Sequence, residues 1–219
     1  MSGIHQMLTG GTYKPAAPTV IGQAFGGGFY AGKIAVGGGG VATHYLIVAP
    51  KASGESSGRT WGVSGTTTGI TSVIDGPTNS ASLAALGASY QAAVFAEGLT
   101  IGGYSDWYLP AKNELEVLYY FLKPAGGTNT TTVGSNANAV SPEPISTNYT
   151  SGSPAQTTAT GTNGFRTGEA NAFDTTSAYW SSTEASSTNA WFQDFISGTQ
   201  VSNIKTASFY VRAVRRIPV

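Results

Sequence analysis

The stretch GGYSDWYLPAKNELEVLYYFLKP, residues 102–124, fixes the first element of the fold. Pro110 suits the opening turn of a helix, where its missing N–H costs nothing. Leu115, Leu118 and Leu122 then recur at spacings of three and four, which places them on one helical face. Pro124 ends the run, so the spacing predicts a helix of about three turns.

Working toward the N-terminus, NSASLAALGASYQAAVFAEGL at 79–99 offers Asn79 or Ser80 as an N-cap and repeats the helical period through Leu83, Leu86, Tyr90 and Val94. A second helix is expected there, running through Gly87. Farther upstream, AFGGGFYAGKI and GVATHYLIVAPK are rich in β-branched and aromatic residues and flank Gly37–Gly40. They read as strands near 28–36 and 41–49 joined by a flexible turn. Residues 1–22 are short of large apolar groups and hold Gly10, Gly11, Pro15 and Pro18, the pattern of an attachment arm ahead of a domain at 23–219.

Toward the C-terminus, Gly126 to Gly164 is dominated by Thr, Asn, Ser, Gly and Pro, with Ile145 and Tyr149 as scattered anchors. This is a long loop insertion, 126–164, of the length that is usually functional. Strand-like pieces follow near 178–181, 190–197 and 208–217. The fold class is α+β.

Composition narrows function. The 219 residues carry 11 Lys plus Arg against 11 Asp plus Glu, a net charge of zero, so no basic field exists to gather nucleic-acid phosphates or anionic lipid. Only 10% of residues are charged, about 25% being usual, and the surface is therefore largely Ser, Thr, Asn and Gly. There is no cysteine, which removes disulfides, thiolate metal sites and Cys nucleophiles. No stretch is long and apolar enough to span a membrane, and MSGIHQMLTGGTYKP lacks the basic and then apolar pattern of a signal peptide.

Four motifs in order, GGYSDWYLPAKNEL (102–115), YWSSTE (179–184), AWFQDFISG (190–198) and YVRAVRR (210–216), resemble the C-terminal domain family of the Legionella collagen-like adhesin. The resemblance implies a C-type-lectin-like fold: two helices, a small irregular antiparallel sheet, and first and last strands side by side. It makes Trp107, Glu114, Trp180, Glu184, Trp191, Phe195, Arg212 and Arg215 the structural motif residues, with Trp191 and Phe195 facing inward. The opening strands are similar to a form of this domain common in phage tail and tail-fibre proteins. That implies a non-enzymatic receptor-binding module of a virion, assembled in the host cytoplasm, recognising a surface glycan or protein of the host. The arm would join a tail-fibre or baseplate protein, and the module would be a homo-oligomer, a trimer suiting a fibre.

With Trp191 and Phe195 inward, alternation turns Phe192 and Asp194 outward, continued by Ser197, Thr199, Gln200, Ser202 and Asn203. These seven are the candidate ligand-binding residues, aromatics giving area and small polar groups hydrogen bonds. A plain solvated hairpin is the competing reading, and a structural virion subunit is the competing function.

Catalysis has little support. His5 and His44 have no evident Ser and Asp companions for a triad. Glu114 and Glu184 could form a hydrolytic carboxylate pair, but internal pairing with Arg212 or Arg215 is the expectation in so sparsely charged a chain. Cofactors are not expected. SPEPIS at 141–146 and SDWY at 105–108 lack the Asn of lectin calcium motifs, which leaves calcium to the Asn- and Asp-containing loops. The glycine runs lack a following Gly-Lys-Ser/Thr and read as turns. Arg212, Arg215 and Arg216 are too few to make an anion-binding face.

Overall fold

A computed structural model describes residues 16–124, 136–140, 164–195 and 197–219. Among them nine strands form two sheets. One runs β1 (Ala24–Phe25), β2 (Gly28–Ile34), β3 (His44–Val48), β9 (Val214–Pro218). The other runs β4 (Glu55–Thr60), β8 (Ser208–Arg212), β5 (Ala178–Glu184), β6 (Asn189–Asp194), β7 (Gln200–Ile204). Four helices accompany them: α1 (Lys51–Gly54), α2 (Gly76–Ala85), α3 (Gln91–Glu97) and α4 (Lys112–Leu122). The α+β class therefore holds, with two sheets where one was expected, and with a parallel pairing between β5 and β8 in an otherwise antiparallel set.

Helix α4 lies where the prolines bracket it, and Leu115, Leu118 and Leu122 are all fully buried. It starts later than expected, at Lys112. Pro110 stays outside because its carbonyl accepts from the Ser182 N–H on β5 and Ala111 is extended. The Glu114 carboxylate reaches back to the Ala111 N–H at 2.8 Å, satisfying one of the donors a helix start leaves over.

The expected single helix at 79–99 is two helices. Gly87 has φ +107°, outside helical geometry, and turns the chain between α2 and α3. The N-cap is Asp75, with Pro77 in the first turn, rather than Asn79 or Ser80. Only Leu83 and Tyr90 of the proposed face are buried; Leu86 and Val94 are 52% and 40% exposed.

The opening strands pair as expected, Tyr45 opposite Lys33 and Ile47 opposite Tyr30, across a turn in which Gly38, Gly39 and Gly40 all have positive φ. β9 lies beside the second of them, with Ile47 opposite Arg215, so the expected adjacency of first and last strands is corrected: β1 and β9 are the two opposite edges of the four-stranded sheet. The expected strand 208–217 is divided at Ala213, which is buried and bonded through both backbone groups, its N–H to Gly54 O and its carbonyl to the Ala49 N–H. Residues 208–218 thus leave one sheet and enter the other within a single residue.

Two apolar clusters fill the molecule. One joins α4 to the four-stranded sheet and to an aromatic pile in which Phe173 stacks on Phe195 at 4.2 Å and Tyr119 meets Phe195 edge-on at 5.6 Å. The other packs Trp61, Trp107, Trp180 and Leu83 between the five-stranded sheet and helices α2 and α3. Each such buried side chain stabilises the fold by about 1.5–3 kcal/mol. Ile21 packs against both clusters and the Gly22 N–H donates to Tyr30 O, so the fold's edge already begins within 16–22. Residues 1–15 of the arm lie outside the described residues, as do 125–135 and 141–163 of the insertion, with Ile145, Tyr149 and SPEPIS.

Candidate functional site

The candidate hairpin is β6 and β7. Its register pairs Trp191 with Ser202 and Gln193 with Gln200 on one face, and Phe192 with Val201 and Ala190 with Asn203 on the other. The seven candidate residues are therefore not one surface. Gln200 and Ser202 share the α4-facing side with Trp191, whereas Phe192 and Asn203 share the opposite one.

At the tip, Asp194, Ser197 and Thr199 hold the turn closed. The Ser197 hydroxyl lies 2.8 Å from the Asp194 carboxylate and 2.9 Å from Thr199 Oγ1, and the Asp194 N–H donates to Thr199 O at 2.9 Å. Three of the seven thus build the loop.

Two expectations are corrected here. Gln200 is buried, donating from Nε2 to Lys112 O at 2.9 Å, because its pairing opposite Gln193 carries it under the start of α4. Trp191 is only half-buried, with the Lys112 ammonium 3.9 Å from its ring centre, while Phe195 is fully buried. The inward pair is split because the strand ends at Asp194 and Phe195 turns into the core beside Phe173.

Phe192 is half-buried, in a row that crosses the five-stranded sheet. Its ring lies 4.9 Å from Phe209 on β8 and 6.3 Å from Trp180 on β5, and Phe209 is 4.6 Å from Trp180. Arg59, opposite Phe209 in the register, extends the row on one side. Val201, 43% exposed, extends it on the other. Phe209 was invisible as a site residue in the sequence, since only the strand order 8-5-6-7 brings it beside Phe192; Val201 joins through the β6–β7 register.

The motif acids are consumed by ion pairs, with partners other than those expected. Glu184 pairs with Lys205 and also accepts from the Thr68 and Gly69 N–H groups. Glu114 pairs with Arg216 at 2.7 Å and accepts from the Tyr108 hydroxyl at 2.5 Å. Arg212 bonds Glu55 at 2.8 Å, and Arg215 holds Asp106 in a bidentate pair at 2.8 and 2.9 Å. Burial pushes the Glu114 carboxyl above its ordinary value, against the pull of Arg216. At Glu184 burial acts the same way, but the hydrogen bonds from Lys205 and the two amides outweigh it and hold the group below its ordinary value.

Both carboxylates face internal donors, an arrangement that orients sheets and loops. The Nδ1 of His44 pairs with Thr43 Oγ1 at 2.9 Å. Among the described residues no group of three His, Cys, Asp or Glu side chains is placed to hold a metal ion, and no helix is long and apolar enough to cross a membrane.

Comparison with known proteins places these elements. The sequence model of the Lcl C-terminal domain matches residues 55–215, from the first residue of β4 to the second of β9. No curated protein matches the chain. The matched span holds the whole five-stranded sheet, α2 to α4 and both ends of the Glu184–Lys205, Glu55–Arg212 and Asp106–Arg215 pairs.

Proposed function

The chain belongs to the Lcl C-terminal domain family, and from that premise we propose that it is an adhesin-like module that binds a host surface receptor, with no catalytic role. Its fold is of the C-type-lectin kind, and it works in several copies at the tip of a phage tail fibre, joined through residues 1–22. The observation that carries the binding role is the row of half-buried Phe192 and Phe209 with exposed Val201, and Asn203 at its edge. Aromatic rings held in place by a sheet present contact area at little entropic cost, and polar neighbours add hydrogen bonds. Copies on one fibre convert a weak single contact into firm attachment.

The test is binding of a multivalent display of the protein to intact host cells, comparing wild type with a Val201→Asp, Asn203→Ala variant. Both positions are exposed or half-exposed, so the fold tolerates the change. Loss of attachment supports the reading. Equal attachment moves the receptor site off this sheet, and no attachment by either protein favours a virion assembly role.

A further inference from the structure

The four-stranded sheet has its own cavity, of about 200 Å³, where β1, β3 and β9 meet the segment before α4. Its walls include the rings of Phe25, Tyr45 and Tyr104, with Ile217 below and Arg215 at the side. Six of its eight lining residues fall outside 55–215, so what the family shares does not account for it.

The polar groups are fixed. Arg215 spends three of its five N–H donors, two on Asp106 and one on Gly26 O at 2.7 Å, and its guanidinium lies 3.8 Å from the Tyr104 ring centre. Asp106 is 56% exposed along its side chain, leaving carboxylate lone pairs facing outward. Among the described residues the Tyr45 and Tyr104 hydroxyls have no hydrogen-bond partner. Phe25 meets Tyr45 edge-on at 5.8 Å, which makes two walls meet at a corner.

Size, charge and wall chemistry select a ligand. The volume is below the roughly 300 Å³ at which clefts for drug-sized ligands begin, so it admits one ring. The one charged wall residue, Arg215, is already neutralised by its bidentate pair with Asp106, so the cavity carries no net charge to select an anion. Aromatic walls favour a C–H face, and the phenol hydroxyls and remaining Arg215 N–H groups favour a ligand rimmed with hydroxyls. We propose that this cavity binds a single neutral sugar ring, a hexopyranose unit, with one C–H face on Tyr104 or Tyr45 and its hydroxyls on the remaining Arg215 N–H groups and the tyrosine hydroxyls. The site lies on the other sheet from the Phe192 row and goes beyond the function read from that row.

The test uses the full 219-residue protein and the methyl glycosides of glucose, galactose, mannose and N-acetylglucosamine, read by saturation-transfer NMR titration. At least one glycoside should bind in the millimolar range. Tyr104→Leu, at a position 40% exposed, should weaken it by at least about tenfold, and Tyr104→Phe by less, since the ring remains. Leu86→Ala, 52% exposed at the end of α2 and in neither site, should leave glycoside binding unchanged. Failure of all four glycosides to bind overturns the proposal. So does binding that survives both Tyr104→Leu and Tyr45→Leu, or a sulfated or amino sugar that binds more tightly than its neutral parent.

Discussion

Glu184 and Lys205 form an ion pair whose side chains are 1% and 0% exposed, and the remaining donors of Lys205 go to Thr66 O and Ser187 O. Two buried charges this close stabilise the fold only while both are present, because each alone is left in a medium that solvates it poorly. Lys205→Met should therefore destabilise the protein by about 3–5 kcal/mol. The Lys205→Met, Glu184→Leu double variant should recover much of that loss. Urea unfolding of the three proteins measures both effects, and a double variant as weak as the single one would show that the carbonyl and amide contacts, not the charges, matter.

The same pair has a pH signature. Glu184 has a folded-state pKa held below its ordinary 4.5, so its stabilisation is complete above about 4.5 and is lost as pH falls through the lower folded value. Glu184→Gln should cost most near neutral pH, and the gap in Tm from wild type should close as pH drops below 4.5. Glu114 has the opposite sign. Burial raises it, so its ionisation costs stability as pH rises from 4.5 through the raised folded value. A gap for Glu184→Gln that stays constant from neutral pH to pH 3 would contradict the assignment.

Gly87 separates α2 from α3 at φ +107°, and no atom lies within 4 Å of where a Cβ would sit. Gly87→Ala therefore tests backbone strain alone and should destabilise by about 1–2 kcal/mol. Gly37→Ala, equally open but without positive φ, should change the urea midpoint little.

Trp61, Trp107 and Trp180 are 0–1% exposed, which leaves half-buried Trp191 as the accessible tryptophan. Its cover is the Lys112 ammonium at 3.9 Å. Lys112→Ala should raise acrylamide quenching of tryptophan fluorescence and cost about 0.5–1 kcal/mol. Unchanged quenching would mean that the ammonium does not shield the ring in solution.

What the sequence makes legible follows from how local each cause is. Helix α4 carries its own punctuation and its own apolar face, so residues 110–124 suffice to find it. The break at Gly87 was not legible, since an isolated glycine within a helical period is tolerated at a cost of about 1 kcal/mol. Strand β4, ESSGRT, has no apolar period; its place is set by pairing with β8 more than 140 residues later. The ion pairs fail for the same reason. The sequence indicates that Glu114, Glu184, Arg212 and Arg215 are held internally, but partner choice depends on chain separations as large as that of Glu55 from Arg212, 157 residues. The candidate surface was half legible: Phe192 and Asn203 share a face, and the strand order alone adds Phe209.

Ala213 is one residue thick and joins both sheets, with its N–H and carbonyl clasped by Gly54 and Ala49. Mechanically it is a coupling. A pull on the Phe192 surface loads β8 through β5, and β8 continues without slack into β9, which lies against β3 in the sheet that residues 16–22 adjoin. Among the described residues, tension between that surface and residues 16–22 passes through hydrogen-bonded strands.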